Sequence, residues 1–417
     1  MDEVPALDID PYDDDVLRDP HEFHEQLRAA GPLVWIPRYS VYACRRFDQV
    51  HAGLRHWQDL ISSAGVGLGD LRRGQHWRTP SLLIEAGPPA HTPRRAVVDK
   101  ILSQRTLRNL QADFTTAADR LVDELLERRT IDAVADLAEA FSLTVFSAAV
   151  GLTEQVRPHL LVYGDLVFNG GEPENVLFDN AMARTPEAIA ATTRQTQRET
   201  LRPGGLGAQI WDPVDRGELP EDEAPLLVRS LLTAGVDTTV ASIAAAIHCL
   251  ATTPEQWQLL RQEPTRARTA FEEAIRFESP VQTFYRTAVS DTDIAGVTVP
   301  ADAKVLLHLA SANRDPRRFD QPHRYDLTRR VSGHVGFGMD MHQCVGQHLA
   351  RLEGEAVLSA LAAKVAAIEL TSMTNPLFQP PTAVRSPGGD AATDRNVRTP
   401  RGRTSGRCEP GPPSSPT

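Results

Sequence analysis

Residues 336–344 read GFGMDMHQC, and the periodic segment QHLARLEGEAVLSALAAKVAAIEL follows at 347–370 and predicts a helix. Cys344 therefore stands just before a helix N-terminus, where backbone N–H groups and the helix dipole stabilise a thiolate. Glycines at 336, 338 and 346 allow the backbone to approach a flat, bulky group closely. This setting favours Cys344 as a metal ligand, and an axial thiolate on a haem iron fits it.

Two other interpretations of this cysteine remain open on local evidence. His342, Cys344 and His348 fall within seven residues, and zinc accepts both residue types. A structural zinc site needs four ligands, however, and no CxxC or HxxxH pattern accompanies these three. The other interpretation is an inert buried thiol, which is common for a lone cysteine.

Composition narrows the class of protein. The chain has 417 residues and a formal net charge of −11, which disfavours a nucleic-acid binder. The acidic start MDEVPALDIDPYDDD has no apolar core, so it is not a secretory signal. No uncharged apolar run of about 18 residues predicts a membrane span. The four cysteines are scattered singly, which favours a reduced, cytoplasmic setting.

The hydrophobic pattern predicts a mainly α fold with small β-sheets. Helical periodicity covers 105–129, 224–251 and 347–370, and short strand-like runs at 33–37 and 41–46 predict a hairpin. A second strand pair is predicted within 295–310, turned at Pro300-Ala301-Asp302. One domain is expected over 1–375. The Pro/Gly/Arg-rich tail at 376–417 has little to bury and is predicted to be disordered.

Five segments together resemble the cytochrome P-450 family. GFGMDMHQCVGQHLARLE resembles its cysteine-ligand loop, usually F-x-x-G-x-H/R-x-C-x-G. AGVDTT (234–239) is similar to its oxygen-activation motif, EAIR (273–276) to its E-x-x-R motif, and PPAHTPRR (88–95) to its H-T-x-x-R segment. ANRDPRRFDQPHRYDLTR (312–329) resembles the meander before the cysteine loop. They occur in the family's order over residues 5–370.

The resemblance implies a triangular helical prism around a buried haem b, with Cys344 as the axial iron ligand. It implies that Asp237 and Thr238 deliver protons, and that Glu273 and Arg276 form a buried structural pair. The haem-binding residues that it implies are His91, Arg95, Arg286, Phe337, Gly338, His342 and Gly346. Arginines and histidines suit this role because buried propionates must be paired.

A narrower resemblance concerns the substrate. HWRTPSLLIEAGPPAHT (76–92), APLLVRSLLTAGVDTT (224–239) and FEEAIRFESPVQTFYRT (271–287) are similar to bacterial cytochrome P-450s that oxidise para-substituted benzoates such as 4-methoxybenzoate. The substrate-binding residues that this implies are Arg78, Ser81, Phe168, Ser230 and Phe284, with Arg229 also matching. Ser230 lies seven residues before Asp237, roughly 10 Å along a helix, which suits the length of a benzoate.

The implied reaction is monooxygenation of a small aromatic carboxylic acid with O2, by O-demethylation or hydroxylation at its para substituent. The resemblance implies a monomer supplied with electrons by a [2Fe-2S] ferredoxin and an NADH-dependent ferredoxin reductase. Arg94, Arg105 and Arg108 are candidates for the basic docking patch. A haem-binding but catalytically impaired family member, and a zinc-binding or structural helical protein, are the alternatives.

The sequence departs from the family at three places. Gly171 stands where the benzoate-oxidising group carries a second Phe, which predicts a wider pocket. Asp340 stands where the family has a turn glycine, so we expect a left-handed conformation and either a lowered haem reduction potential or weaker partner docking. The family's C-terminal hairpin has no counterpart in 376–417, which suggests a frameshift.

Overall fold

The computed structural model describes residues 4–370 except 75, 129 and 172, together with the backbone of Val397–Arg398. The predicted disordered tail thus lies almost entirely outside the described residues, and so does the missing hairpin. The predicted mainly α fold with small sheets is confirmed.

Helices form most of the described chain. Their bounds are α1 Asp14–Arg18, α2 His21–Ala30, α3 Phe47–Arg55, α4 His91–Ile101, α5 Gln104–Leu126, α6 Ala140–Val150, α7 Arg157–Asn169, α8 Val176–Arg184, α9 Pro186–Gln195, α10 Leu206–Gln209, α11 Asp212–Asp215, α12 Ala224–Ala234, α13 Asp237–Thr252, α14 Pro254–Gln262, α15 Ala267–Glu278, α16 Leu309–Asn313 and α17 Gln347–Lys364. A π-helical turn, Ala133–Glu139, leads into α6.

The strands are short and form small sheets. Their bounds are β1 Leu33–Ile36, β2 Val41–Cys44, β3 Leu60–Ile61, β4 Thr130–Ile131, β5 Thr283–Ala288, β6 Thr292–Ile294, β7 Val297–Val299, β8 Lys304–His308, β9 Glu369–Leu370 and β10 Val397–Arg398. One sheet has the order β1-β2-β8-β5-β3, another β4-β10-β9, and β6 pairs with β7. All pairs are antiparallel except β2 with β8.

The first predicted hairpin is present, but the second strand pair was predicted with the wrong partners. β1 and β2 pair in the register Leu33↔Cys44 across a 3₁₀ turn. β7 pairs with β6, whereas β8 lies between β2 and β5. The reason is tertiary: every residue of β8 is buried, and a strand buried on both faces needs neighbours on both edges.

The largest apolar core joins α5, α6, α12, α13, α15 and α17, and Phe114, Phe141 and Phe271 are almost fully buried in it. Two helical stretches, Ala133–Val150 and Glu221–Thr252, are long and apolar enough to cross a membrane. Of those windows, 56% and 67% are buried inside the fold. This is the burial of core helices in a globular protein, where an all-round apolar helix is expected.

Candidate active site

The cysteine loop is a compact turn that leads into α17. Gly338 has φ +66°, a left-handed conformation in which glycine is free of strain. The backbone N–H of Cys344 donates to the carbonyl of Phe337 at 2.8 Å, which closes the loop. Gly346 then caps α17, so the cysteine lies just before the helix N-terminus as the sequence predicts.

Cys344 keeps an accessible surface although protein atoms surround its thiol. Burial raises the pKa of this thiol. Backbone N–H groups of Gly346 and Gln347 and the guanidiniums of Arg95 and Arg351 act in the opposite direction. These donors stabilise a thiolate, the form that ligates a metal.

Basic side chains gather beside this loop. Arg286 is 2% exposed, and its Nη1 donates to the Tyr285 carbonyl at 2.8 Å. Burial lowers the pKa of Arg286 to about 10, and no carboxylate pairs with it among the described residues. Burial, Arg286, His91 and Arg95 lower the pKa of His342 to about 3. Such a cluster requires an anionic partner.

Hydrogen bonds and ring contacts hold His342 and Arg95 in this basic cluster. His342 Nε2 lies 2.9 Å from Ser62 Oγ, and the rings of His91 and His342 meet edge-on with centroids 5.0 Å apart. Arg95 donates to the carbonyls of Met341 and Gln343 at 3.3 and 2.7 Å, which fixes the loop. An accessible thiol, near a buried guanidinium that pairs with no carboxylate of the described residues, fits a haem with acidic propionates.

The central helix is interrupted where the sequence places its polar cluster. α12 ends at Ala234 and α13 begins at Asp237, and the backbone i to i−4 pattern resumes at Val240. Thr238 Oγ1 donates to the Ala234 carbonyl at 2.7 Å, the local back-bond that bends helices. A Cβ on Gly235 would lie 2.2 Å from Phe146 Cε2, so only glycine allows this close packing.

Asp237 points toward α7. A Cβ on Gly164 would lie 1.2 Å from Asp237 Oδ2, so the carboxyl group lies directly against the α7 backbone. Burial raises the pKa of Asp237 well above its usual range, and Asp165 and Glu139 raise it further. Asp165 in turn pairs with the exposed Arg184. Asp165 therefore lies near the Asp237 carboxyl group and is paired with Arg184 at the surface.

Glu273 and Arg276 form a fully buried pair on α15. Arg276 donates to both Glu273 oxygens at 2.7 and 2.8 Å and also to the carbonyls of Asn313 and Pro322. Arg329 Nε donates to Glu273 at 2.9 Å. Through these bonds the pair holds the segment before the cysteine loop against α15. Removing one partner of such a buried pair costs about 3–5 kcal/mol of stability.

The predicted carboxylate-binding residues come together, but Arg78 already has an acid partner. Its Nη1 and Nη2 donate to Glu85 at 2.7 and 2.8 Å, and the Ser81 backbone N–H donates to the same carboxylate at 2.6 Å. Arg229 Nη2 donates to the carbonyls of Thr79 and Pro80 at 2.8 and 3.3 Å.

The hydroxyl groups of the two predicted carboxylate-binding serines form hydrogen bonds with nearby backbone groups. Ser230 Oγ donates to the Leu226 carbonyl at 2.9 Å, and it must rotate to donate to a ligand. Ser81 Oγ accepts from the backbone N–H groups of Leu83 and Ile84 at 3.3 and 3.4 Å. Ser230 is thus committed as a donor to its own helix, whereas Ser81 is an acceptor in its two contacts.

The predicted aromatic walls lie on α7 and β5. Phe168 packs against Ala241 of α13, and Phe284 is partly buried. Gly171 does not simply open the pocket, because its carbonyl accepts the Leu68 N–H at 3.1 Å and would lie 2.5 Å from a Cβ on Gly67. Backbone from the preceding loop therefore fills the place beside Gly171.

Asp340 and the candidate docking residues lie at or near the surface. Asp340 has φ +55°, and its carboxylate lies 3.8 Å from Arg55 Nε. Arg94 is engaged by Glu223, so its charge is compensated. Arg105 and Arg108 are exposed on α5.

Sequence reasoning missed Gly164, Glu85 and Ser62. A glycine inside the apolar helix LLVYGDLVF was a usable signal, because it costs about 1 kcal/mol relative to alanine and so indicates a packing reason. Ser62 carried no such signal, since its partner is 280 residues away. His342, Cys344 and His348 do not form a metal-binding group, and within the described part of the chain no three histidine, cysteine or acidic residues do.

Comparison with known proteins agrees with this geometry. The family model "Cytochrome P450" matches residues 206–364. Cytochrome p450 CYP199A2 of Rhodopseudomonas palustris is 54% identical over 368 residues, covering 88% of this chain and 89% of that protein. Cytochrome P450 monooxygenase PikC of Streptomyces venezuelae is 30% identical over 90% of this chain and 92% of its own.

A solved structure shows the same fold. Cytochrome P450 CYP109Q5 from Chondromyces apiculatus superimposes with a TM-score of 0.78 at 28% identity, covering 94% of this chain and 98% of its own. When bound, haem with an axial cysteine thiolate supplies the redox chemistry that activates O2. The chain belongs to the cytochrome P450 family and is a haem-thiolate monooxygenase.

Proposed function

We propose that this monooxygenase oxidises a para-substituted benzoate, by O-demethylation or hydroxylation of the para substituent. The observation that carries the proposal is the placement of Arg78 near Arg229 of α12, with Asp237 about two helical turns beyond Arg229. Arginine donors recognise a planar carboxylate. Tyr163 and Gly164, adjacent on α7, lie near the arginines and Asp237 respectively, so α7 covers both ends.

Each group has a distinct task in this proposal. Cys344 binds the iron, while His91, Arg95, Arg286 and His342 hold the propionates, and Phe337, Gly338 and Gly346 shape the loop. The arginine end, with Ser81 and Ser230, binds the carboxylate, and the rings of Phe168 and Phe284 hold the aromatic body. The para substituent then lies toward the haem.

Proton delivery is assigned to Asp237 and Thr238. Burial raises the pKa of Asp237 well above its usual range, which favours the protonated carboxyl group that a proton donor requires. Thr238 is bonded to the Ala234 carbonyl, and its hydroxyl oxygen can accept a hydrogen bond from the carboxyl group or from water. Asp165 and Arg184 then connect Asp237 to solvent.

A cytochrome P450 needs O2 and electrons from redox partners. We propose that a [2Fe-2S] ferredoxin and an NADH-dependent reductase supply them in the cytoplasm, with this chain a monomer. The exposed Arg105 and Arg108 support the docking of an acidic ferredoxin, whereas the compensated Arg94 contributes less.

The test is a titration of the haem-loaded protein with 4-methoxybenzoate and 4-methoxybenzamide, followed optically and by calorimetry. The acid should bind at least about tenfold more tightly, since a charge-assisted pair is lost in the amide. Arg229→Gln should remove that preference. Equal binding of the two compounds would reject a carboxylate substrate, and tight binding without turnover would favour the catalytically impaired alternative.

A further inference from the structure

Glu85 pairs with Arg78, one of the arginines that the proposed function assigns to the substrate carboxylate. It accepts three hydrogen bonds, from Arg78 Nη1 at 2.7 Å, Arg78 Nη2 at 2.8 Å and the Ser81 backbone N–H at 2.6 Å. The Glu85 side chain is 3% exposed, and the Arg78 guanidinium also lies 5.6 Å from the centroid of the Trp77 ring. A bidentate pair this well enclosed is fixed, so the charge of Arg78 is neutralised within the chain.

Arg229 has no such partner among the described residues. Its recorded acceptors are the carbonyls of Thr79 and Pro80, which carry no net charge. Burial lowers the pKa of Arg229, Arg78 lowers it further, and Tyr163 and Glu85 raise it. The ionisable groups near the Arg229 guanidinium are therefore the cation of Arg78, the anion of Glu85 and the phenol of Tyr163.

The charges at this end add up to a single positive charge. Arg78 and Arg229 contribute two positive charges, and Glu85 contributes one negative charge. One bound carboxylate brings the sum to zero. A second carboxylate next to the first would have no uncompensated cation among these groups and would be repelled by the first.

We propose that Glu85 is a specificity-determining residue: by neutralising Arg78 it leaves one net positive charge, from Arg229, and so selects aromatic monocarboxylates over dicarboxylates. This inference rests on the proposed function, because it assigns the carboxylate of the substrate to this end of the pocket. It assigns Arg78 a positioning role and Arg229 the uncompensated charge.

The test measures dissociation constants of the haem-loaded protein by calorimetry for three probes. These are 4-methoxybenzoate with one carboxylate, 4-methoxyphthalate with two adjacent carboxylates, and the neutral 4-methoxybenzamide. The wild-type protein should bind the monocarboxylate most tightly. Glu85→Gln keeps the shape and one of the two acceptor oxygens but raises the net charge to two, and it should improve dicarboxylate binding relative to monocarboxylate by on the order of tenfold.

Two further variants separate charge from structure. Glu85→Asp keeps the charge and should leave the preference between the two acids near that of the wild type. The double variant Arg78→Gln/Glu85→Gln restores a net charge of one, so its preference should return to within about threefold of the wild type. Should Glu85→Gln fail to fold, the double variant still tests the charge count, because monocarboxylate must outcompete amide in it.

The outcomes are distinct. If wild-type protein does not prefer 4-methoxybenzoate over the amide, the proposed function fails and this inference fails with it. If the preference for acid over amide holds, but Glu85→Gln changes binding of all three probes by the same factor, the proposed function survives and Glu85 is only structural. A double variant that loses the preference for acid over amide would likewise overturn the charge assignment.

Discussion

Replacing Gly164 by alanine should disable proton delivery without weakening the fold. A Cβ at this position would lie 1.2 Å from Asp237 Oδ2 and 2.4 Å from its Cγ. Since non-bonded heavy atoms pack at about 3.5–4.0 Å, the overlap is roughly 2 Å, too large for small angular adjustments. The Asp237 carboxyl group must therefore turn to another rotamer and leave the neighbourhood of Asp165.

Two opposing contributions to the stability of the Gly164→Ala variant nearly cancel. Alanine in a helix interior is favoured over glycine by about 0.5–1 kcal/mol. Displacing the carboxyl group into a poor rotamer costs about 0.5–1.5 kcal/mol. The free energy of unfolding of Gly164→Ala should therefore stay within about 1 kcal/mol of the wild-type value, which distinguishes a misplaced acid from a damaged core.

The effect on turnover should be much larger. A positioned general acid contributes about 10²–10⁴-fold, so product formation should fall by at least about tenfold. Electrons would still be consumed, and the oxygen would be released as hydrogen peroxide instead of entering the substrate. The assay compares NADH consumed, demethylated product and hydrogen peroxide, with substrate dissociation constants measured separately by calorimetry.

Two comparisons make this prediction decisive. Gly87→Ala is the matched control, because no heavy atom lies within 4 Å of a Cβ at that position. The double variant Gly164→Ala/Asp237→Asn should couple electrons to product no worse than Asp237→Asn, since both changes remove the same function. Wild-type coupling in Gly164→Ala, or fully additive losses in the double variant, would refute the assigned contact.

Three further changes test other parts of the site. Arg286→Met should accelerate haem loss to apomyoglobin by about tenfold, because a buried charge-assisted hydrogen bond is removed, and the exposed Arg105→Met should not. Asp340→Gly should raise the haem reduction potential, since it removes an anion beside the thiolate loop, and glycine adopts the left-handed φ of +55° without strain; equal potentials would contradict this. Burial raises the pKa of Glu353 to about 8, so its neutral form is favoured by folding. The stability it confers is complete below about pH 4.5 and is lost as pH rises through 8. Glu353→Gln should flatten the decline in unfolding free energy measured from pH 5 to 8, and an unchanged slope would place the titration elsewhere.

The sequence by itself determined the features that depend on neighbouring residues. The glycines, Cys344 and the start of α17 lie within a dozen positions, so a thiolate at a helix N-terminus could be predicted from spacing. The break between α12 and α13 was likewise visible as polar residues in an apolar helix. For the same reason, the β1–β2 hairpin was predicted with nearly correct bounds.

Only the tertiary structure decided which charges meet. The backbone beside Gly171, the Ser62–His342 bond and the contact of Asp237 with Gly164 each join distant segments, whose approach depends on the packing of whole helices. The partners of β7 and β8 were mispredicted because strand pairing is settled by burial across a sheet. Glu85 lies only seven residues from Arg78, so that pair is local in sequence. The packing of α12 against this segment, which places Arg229 there as the uncompensated cation, depends on the tertiary structure.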